Sequence, residues 1–120
     1  MKHPIDDYVM VAAHRGDWRN GAENSLQAID MAIKMGVDIV EIDIAVTSDN
    51  EVWVACSGNN LAVSLNGGTG EVKHSVNVGT HPIGIGVDAD QNIWAVNKES
   101  NNITKINGIT AEVIGHYPVG

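Results

Sequence analysis

Four residues in the first third of the chain could do chemistry together: His14 and Arg15 side by side, and Glu41 and Asp43 two apart. Residues at i and i+2 of a strand point to one face. Two carboxylates so placed can share a hard divalent cation such as Mg or Ca. An arginine holds non-bridging oxygens of an anion bidentately. The competing possibility is that all four are polar residues at strand ends. Burial separates the two. If the face of Glu41 and Asp43 became core, the pair would be costly without a cation or a basic partner, which argues for a wet face.

Other candidates are weaker. Cys56 is the single cysteine, so it has no partner within the chain for a disulfide, and nothing nearby would lower its pKa. His74, His81 and His116 lack metal-ligand spacing and are expected at the surface or in turns. Gly84 and Gly86 precede no helix, which a dinucleotide fingerprint requires. Trp53 and Trp94 are expected to be blade-packing residues rather than ligand-stacking ones.

The elements that must position the four residues read as strand, helix, strand. Tyr8 to His14 is a continuous apolar run, as in a buried strand. Asn24 can cap a helix, with Gln27 at the capping-box position. Leu26, Ile29 and Ile33 recur at helical spacing beside Ala28 and Ala32, which predicts a helix over 24–35, stopped by Gly36. Val37 to Val46 reads as a second strand.

Beyond residue 50 the composition shifts to Asn, Gly, Val and Ile, and an internal repeat appears. Trp53 and Trp94 are 41 residues apart, and the offset also pairs Leu65-Asn66-Gly67 with Ile106-Asn107-Gly108. Four strand-like runs at 83–88, 92–97, 102–107 and 112–119 describe the second repeat. The offset carries back across the junction, where Ile42, Ile44 and Val46 fall on Ile83, Ile85 and Val87. The strand at 42–46 is therefore expected to serve both parts.

Val11-Ala12-Ala13-His14-Arg15-Gly16-Asp17, Glu23-Asn24-Ser25-Leu26, Gly36 through Asp43 and Thr47-Ser48-Asp49 together resemble the opening of a glycerophosphodiester phosphodiesterase, over about residues 9–50. One departure is Gly21-Ala22 before Glu23, where that family usually has a proline. The resemblance implies a metal-dependent barrel enzyme in which His14 is a catalytic acid/base, Arg15 binds phosphate, and Glu41 and Asp43 hold the metal. A β-α-β unit is about a quarter of such a barrel. The family's second histidine falls on Cys56, with Ser57 in the place of its aspartate, and its third metal carboxylate has no counterpart here. Residues 51–120 instead resemble two blades of streptogramin-lyase-like or NHL-type propellers, carried by Asn50 to Ala55 and Asp88 to Asn97. Such propellers close with roughly six or seven blades.

The expected fold is therefore α+β and mainly antiparallel β: two four-stranded blade-like sheets, an N-terminal strand and one helix, in a single folded unit over 1–120. The placement of strand 8–14, on the first blade or on a neighbouring chain, stays open. Three functions compete: a recombined, artificial chimeric scaffold without a complete active site, a residual metal-dependent phosphodiesterase, and a propeller-type binding module. The net charge of −8 and scattered basic residues argue against nucleic acid. No apolar run approaches the roughly 20 residues of a membrane span, and the cytoplasm is the default location. Open sheet edges predict a homo-oligomer.

Overall fold

The computed structural model describes residues 11–14 and 26–119, with the side chains of residues 13, 14, 26–28, 40 and 41 outside that description. The N-terminal part is a β-α-β unit. Strand β1 (Ala12–His14) pairs in parallel with β2 (Ile39–Glu41), joined through helix α1 (Leu26–Lys34). This placement differs from both pairings left open for strand 8–14: its described part lies on β2, not on a blade. The carboxylate of Asp38 anchors the start of the pair by accepting from the Val11 amide at 2.8 Å, while the Asp38 amide donates to the Val11 carbonyl at 2.9 Å.

Helix α1 packs on β2 and buries Ala32. Ile33, expected on the covered stripe, is exposed. The proposed cap at Asn24 lies outside the described residues. The stop at Gly36 is a Schellman turn: φ is 78°, Gly36 N–H donates to Ile33 O at 3.0 Å, and Val37 N–H donates to Ala32 O at 3.4 Å. That φ favours glycine, as a Cβ strains the left-handed region.

The strand expected over 37–46 breaks at Ile42-Asp43. Its first part, β2, belongs to the parallel pair. Its second part, β3 (Ile44–Val46), opens an antiparallel sheet with β4 (Glu51–Cys56), β5 (Leu61–Asn66) and β6 (Val72–Asn77). The second sheet holds β7 (Pro82–Val87), β8 (Asn92–Asn97), β9 (Asn102–Asn107) and β10 (Val113–Pro118). Each sheet is a meander in chain order.

The 41-residue repeat is kept at the level of single hydrogen bonds. Asn66 Oδ1 accepts from the amides of Gly68 and Thr69, and Asn107 Oδ1 from those of Ile109 and Thr110, at 2.8 and 3.0 Å in both turns. Asparagine suits these turns because its short side chain mimics a backbone acceptor. Gly67 and Gly108 are obligatory: an added Cβ would stand 2.4 Å from the carbonyl oxygen of Asn50 and 2.0 Å from that of Gln91.

The two repeats bury opposite faces. In the first sheet Ala45, Trp53, Ala55, Ala62, Ser64 and Val76 turn inward. In the second sheet Ile93, Ala95, Asn97, Thr104 and Ile106 turn inward, and these match the outward residues of the first repeat. The core is the layer between: Trp53, Ala45, Ala62 and Val76 against Ile93 and Ile106, flanked by Val78, Ile85 and Ala111. Removing these faces from water is worth about 25 cal/mol per Å² of apolar area.

Candidate functional site

The parallel pair places His14 directly opposite Glu41, both at the C-terminal ends of their strands. Neighbouring strands lie about 4.8 Å apart, so the two backbones adjoin. In β/α barrels the C-terminal strand ends carry the active site. Asp43 follows two residues later, half-buried, in the break between β2 and β3. Because β2 ends at Glu41, the alternation that was to put both carboxylates on one face does not run through Asp43. Arg15 lies outside the described residues, as do the side chains of His14 and Glu41.

Two carboxylates and an imidazole suit a hard divalent cation in donor chemistry but fill only part of its six to eight positions. Among the described residues, no group of three or more His, Cys, Asp or Glu side chains comes together to hold a metal. The positions that the resemblance aligns with the family's second histidine and its aspartate, Cys56 and Ser57, are described. Cys56 ends β4, opposite Leu61, and burial pushes its thiol above the ordinary value. Ser57 is buried.

A second polar cluster sits on the inward face of the first sheet, and sequence reasoning missed it. Glu51 is 2% exposed, with Lys73 Nζ 3.8 Å from one carboxylate oxygen and His74 Nε2 3.8 Å from the other. The His74 ring stacks on Trp53 at 6.3 Å between centroids, so His74 is part of the sheet packing rather than a surface or turn residue. Ser64 lies between Trp53 and His74 in the sheet register. Glu51 Oε1, Trp53 Nε1 and Ser64 Oγ have no hydrogen-bond partner. The signal was present in Glu51-Val52-Trp53, where i and i+2 must share a face with a tryptophan.

The second repeat resolves the same position differently. Trp94 Nε1 donates to Asp88 Oδ2 at 2.8 Å, and Lys105 Nζ lies 5.0 Å from the ring centre. The indole donor, with the Asn92 amide, holds the Asp88 carboxyl below its ordinary value. Thr47 occupies the Asp88 place in the first repeat and accepts from the Glu51 amide at 3.1 Å. It leaves the Trp53 indole without an acceptor. Trp94 lies on the outer face of the second sheet, where its ring packs against Tyr117 at 5.9 Å between centroids.

The model of the glycerophosphoryl diester phosphodiesterase family matches residues 14–111. The chain belongs to that family. The match reaches beyond the β-α-β unit into both sheets. Curated relatives align over a shorter stretch. The glycerophosphodiester phosphodiesterase of Caldanaerobacter subterraneus is 40% identical over 45 residues, covering 38% of this chain and 18% of that protein. YhdW of Bacillus subtilis, which carries the same enzyme name provisionally, is 39% identical over 44 residues, 37% of this chain and 18% of its own. The chain thus spans under a fifth of the length of these phosphodiesterase relatives. Among solved structures, hydrazine synthase of Kuenenia stuttgartiensis superposes with a TM-score of 0.62 at 18% identity over 66% of this chain and 23% of that one. A luciferin-regenerating enzyme gives 0.51 at 16% identity over 68% and 30%. At such identities the likeness is one of fold, and it is to propeller-like blades. No helix among the described residues is long and apolar enough to cross a membrane.

Proposed function

We propose that the chain is a chimeric scaffold: a phosphodiesterase β-α-β corner recombined onto propeller-like blades, with no complete active site. The observation that carries this is the exit of the chain from the parallel pair after Glu41 into an antiparallel blade. The segment that should supply the second histidine supplies Cys56 and Ser57 in a meander instead. What remains of the family's chemistry is His14, Arg15, Glu41 and Asp43. These would bind a Mg or Ca ion and a phosphate group weakly, through two carboxylates and one guanidinium. A bound cation would offset phosphate charge, but one acid/base group and one metal carboxylate are missing.

The test is hydrolysis of glycerophosphocholine by the purified chain with Mg or Ca, beside the Glu41→Ala variant. The scaffold proposal expects rates equal to the protein-free blank for both. Metal-dependent release of glycerol 3-phosphate that Glu41→Ala abolishes would overturn it and establish the alternative, a residual phosphodiesterase. The third possibility, a propeller-type binding module, would lose support if no ligand or partner shifted the melting temperature.

A further inference from the structure

We infer that the outer faces of the two sheets are each other's partner, so that copies of this chain stack head to tail through a repetition of its internal sheet–sheet contact. The contact inside the chain joins the inward face of the first repeat to the opposite face of the second. Each repeat therefore has one used and one unused face, and the two unused faces are of the complementary kinds. On the first sheet the unused face carries Ile44, Val52, Val54, Val63, Leu65 and Val72. The first five stand at the repeat positions of Ile85, Ile93, Ala95, Thr104 and Ile106, which contribute the second sheet's side of the internal contact.

On the second sheet the unused face carries Trp94, Val96, Ile103 and Tyr117. These stand at the positions of Trp53, Ala55, Ala62 and Val76, which make the first sheet's side of the internal contact. Trp53 is fully buried by that contact, whereas Trp94 is half-buried, Val96 is 40% exposed and Tyr117 is 42% exposed. On the facing surface Ile44 is 46% and Val72 64% exposed. A largely apolar sheet face of this kind, interrupted by Ser75 on the first sheet and Lys105 on the second, is the usual mark of an interaction surface. Its occupant follows from continuity: the surface that already covers Trp53 in this chain is repeated, in more apolar form, at the other end of the molecule.

Lys105 is a charged departure, since it replaces the buried Ser64. Its ammonium lies 5.0 Å from the Trp94 ring centre, and the long stem can carry that ammonium to the edge of a contact. The interface joins unlike surfaces, so repetition gives a ring if the rotation closes and a filament if it does not. This differs from pairing through open strand edges, which would use β3, β6, β7 or β10.

The experiment is light scattering on a size-exclusion column with two single-face variants, Ile44→Lys and Val96→Lys. Wild type is expected above the 12.7 kDa monomer mass, and each variant alone at that mass. Each variant keeps one good face, so the equimolar mixture is expected as a one-to-one pair of twice 12.7 kDa. A monomeric wild type, variants that keep the wild-type mass, or a mixture that stays monomeric would each overturn the inference. Should either variant lose the far-UV dichroism of folded β-sheet, Val72→Lys or Tyr117→Lys takes its place on the same face.

Discussion

Trp53 and Trp94 hold equivalent places in the two repeats, yet their removal should cost unequal amounts. Trp53 is fully buried between the sheets and stacked on His74. A buried aromatic of this size removes about 150–250 Å² from water, which at about 25 cal/mol per Å² is roughly 4–6 kcal/mol. Truncation to alanine in cores costs about 3–5 kcal/mol. Losing the partnerless Nε1–H returns part of this, since an unsatisfied buried donor costs about 1–3 kcal/mol. Trp53→Ala should therefore cost about 3 kcal/mol, a large share of the roughly 5–15 kcal/mol that holds a domain folded. Trp94 is half-buried on an outer face, and its truncation should cost about half of that core range, about 2 kcal/mol. The assay is urea unfolding followed by far-UV dichroism, with both substitutions made in the Ile44→Lys background so that no copy-to-copy contact contributes. Equal losses, within about 0.5 kcal/mol, would refute the assignment of opposite buried faces to the two repeats.

Glycine substitutions should separate by turn. Gly67→Ala and Gly108→Ala drive a Cβ onto the carbonyls of Asn50 and Gln91 and should each lower stability by about 1–3 kcal/mol, whereas Gly86→Ala meets nothing within 4 Å and should be neutral or slightly stabilising in the same urea assay. Acid should weaken the fold. Asp49, through the Thr47 hydroxyl, and Asp88, through the Trp94 indole, are both held below their ordinary 3.8. Their contribution is complete above 3.8 and is lost as pH falls through the lower folded values, so the urea midpoint should drop below pH 3.8 and Asp88→Asn should flatten that fall. Glu51→Gln should leave stability within about 1 kcal/mol of wild type or raise it, because losing a buried carboxylate's desolvation offsets its long contacts to Lys73 and His74. Lys73→Met should lower stability, and the same unfolding curves check both.

The blades were legible because their signals are local and repeated. Asn, Gly and Thr fix the turns, Trp53 and Trp94 fix the offset, and the expected runs of the second repeat fall within a residue or two of β7–β10. Gly36 marked the helix end for a stated backbone reason, a positive φ. What the pattern hid was the break at Ile42-Asp43. The run Val37 to Val46 is apolar throughout apart from its carboxylates, and nothing local says that its two halves serve different sheets. The face assignment was hidden for a similar reason. Both repeats carry apolar residues on both faces, so alternation alone does not tell which face of each blade meets the other. The site was half-legible. His14 and Glu41 do adjoin, as strand ends of a parallel pair, while the burial of Glu51 comes from packing between the sheets, which alternation alone does not show.

Residues matched to the phosphodiesterase family form antiparallel sheets past Glu41, and the scaffold proposal rests on this arrangement. Nuclear Overhauser spectroscopy on the chain tests it. Antiparallel neighbours bring α-carbons to about 4.5 Å at non-hydrogen-bonded pairs, so Hα–Hα cross-peaks should join β4 to β5 and β8 to β9 in the register Trp53 to Ser64 and Trp94 to Lys105 or its immediate alternates. Contacts from the Trp53 indole to the Ile93 and Ile106 methyls should accompany them. A parallel pattern in these strands, with helical segments between them, would contradict the account and restore the barrel.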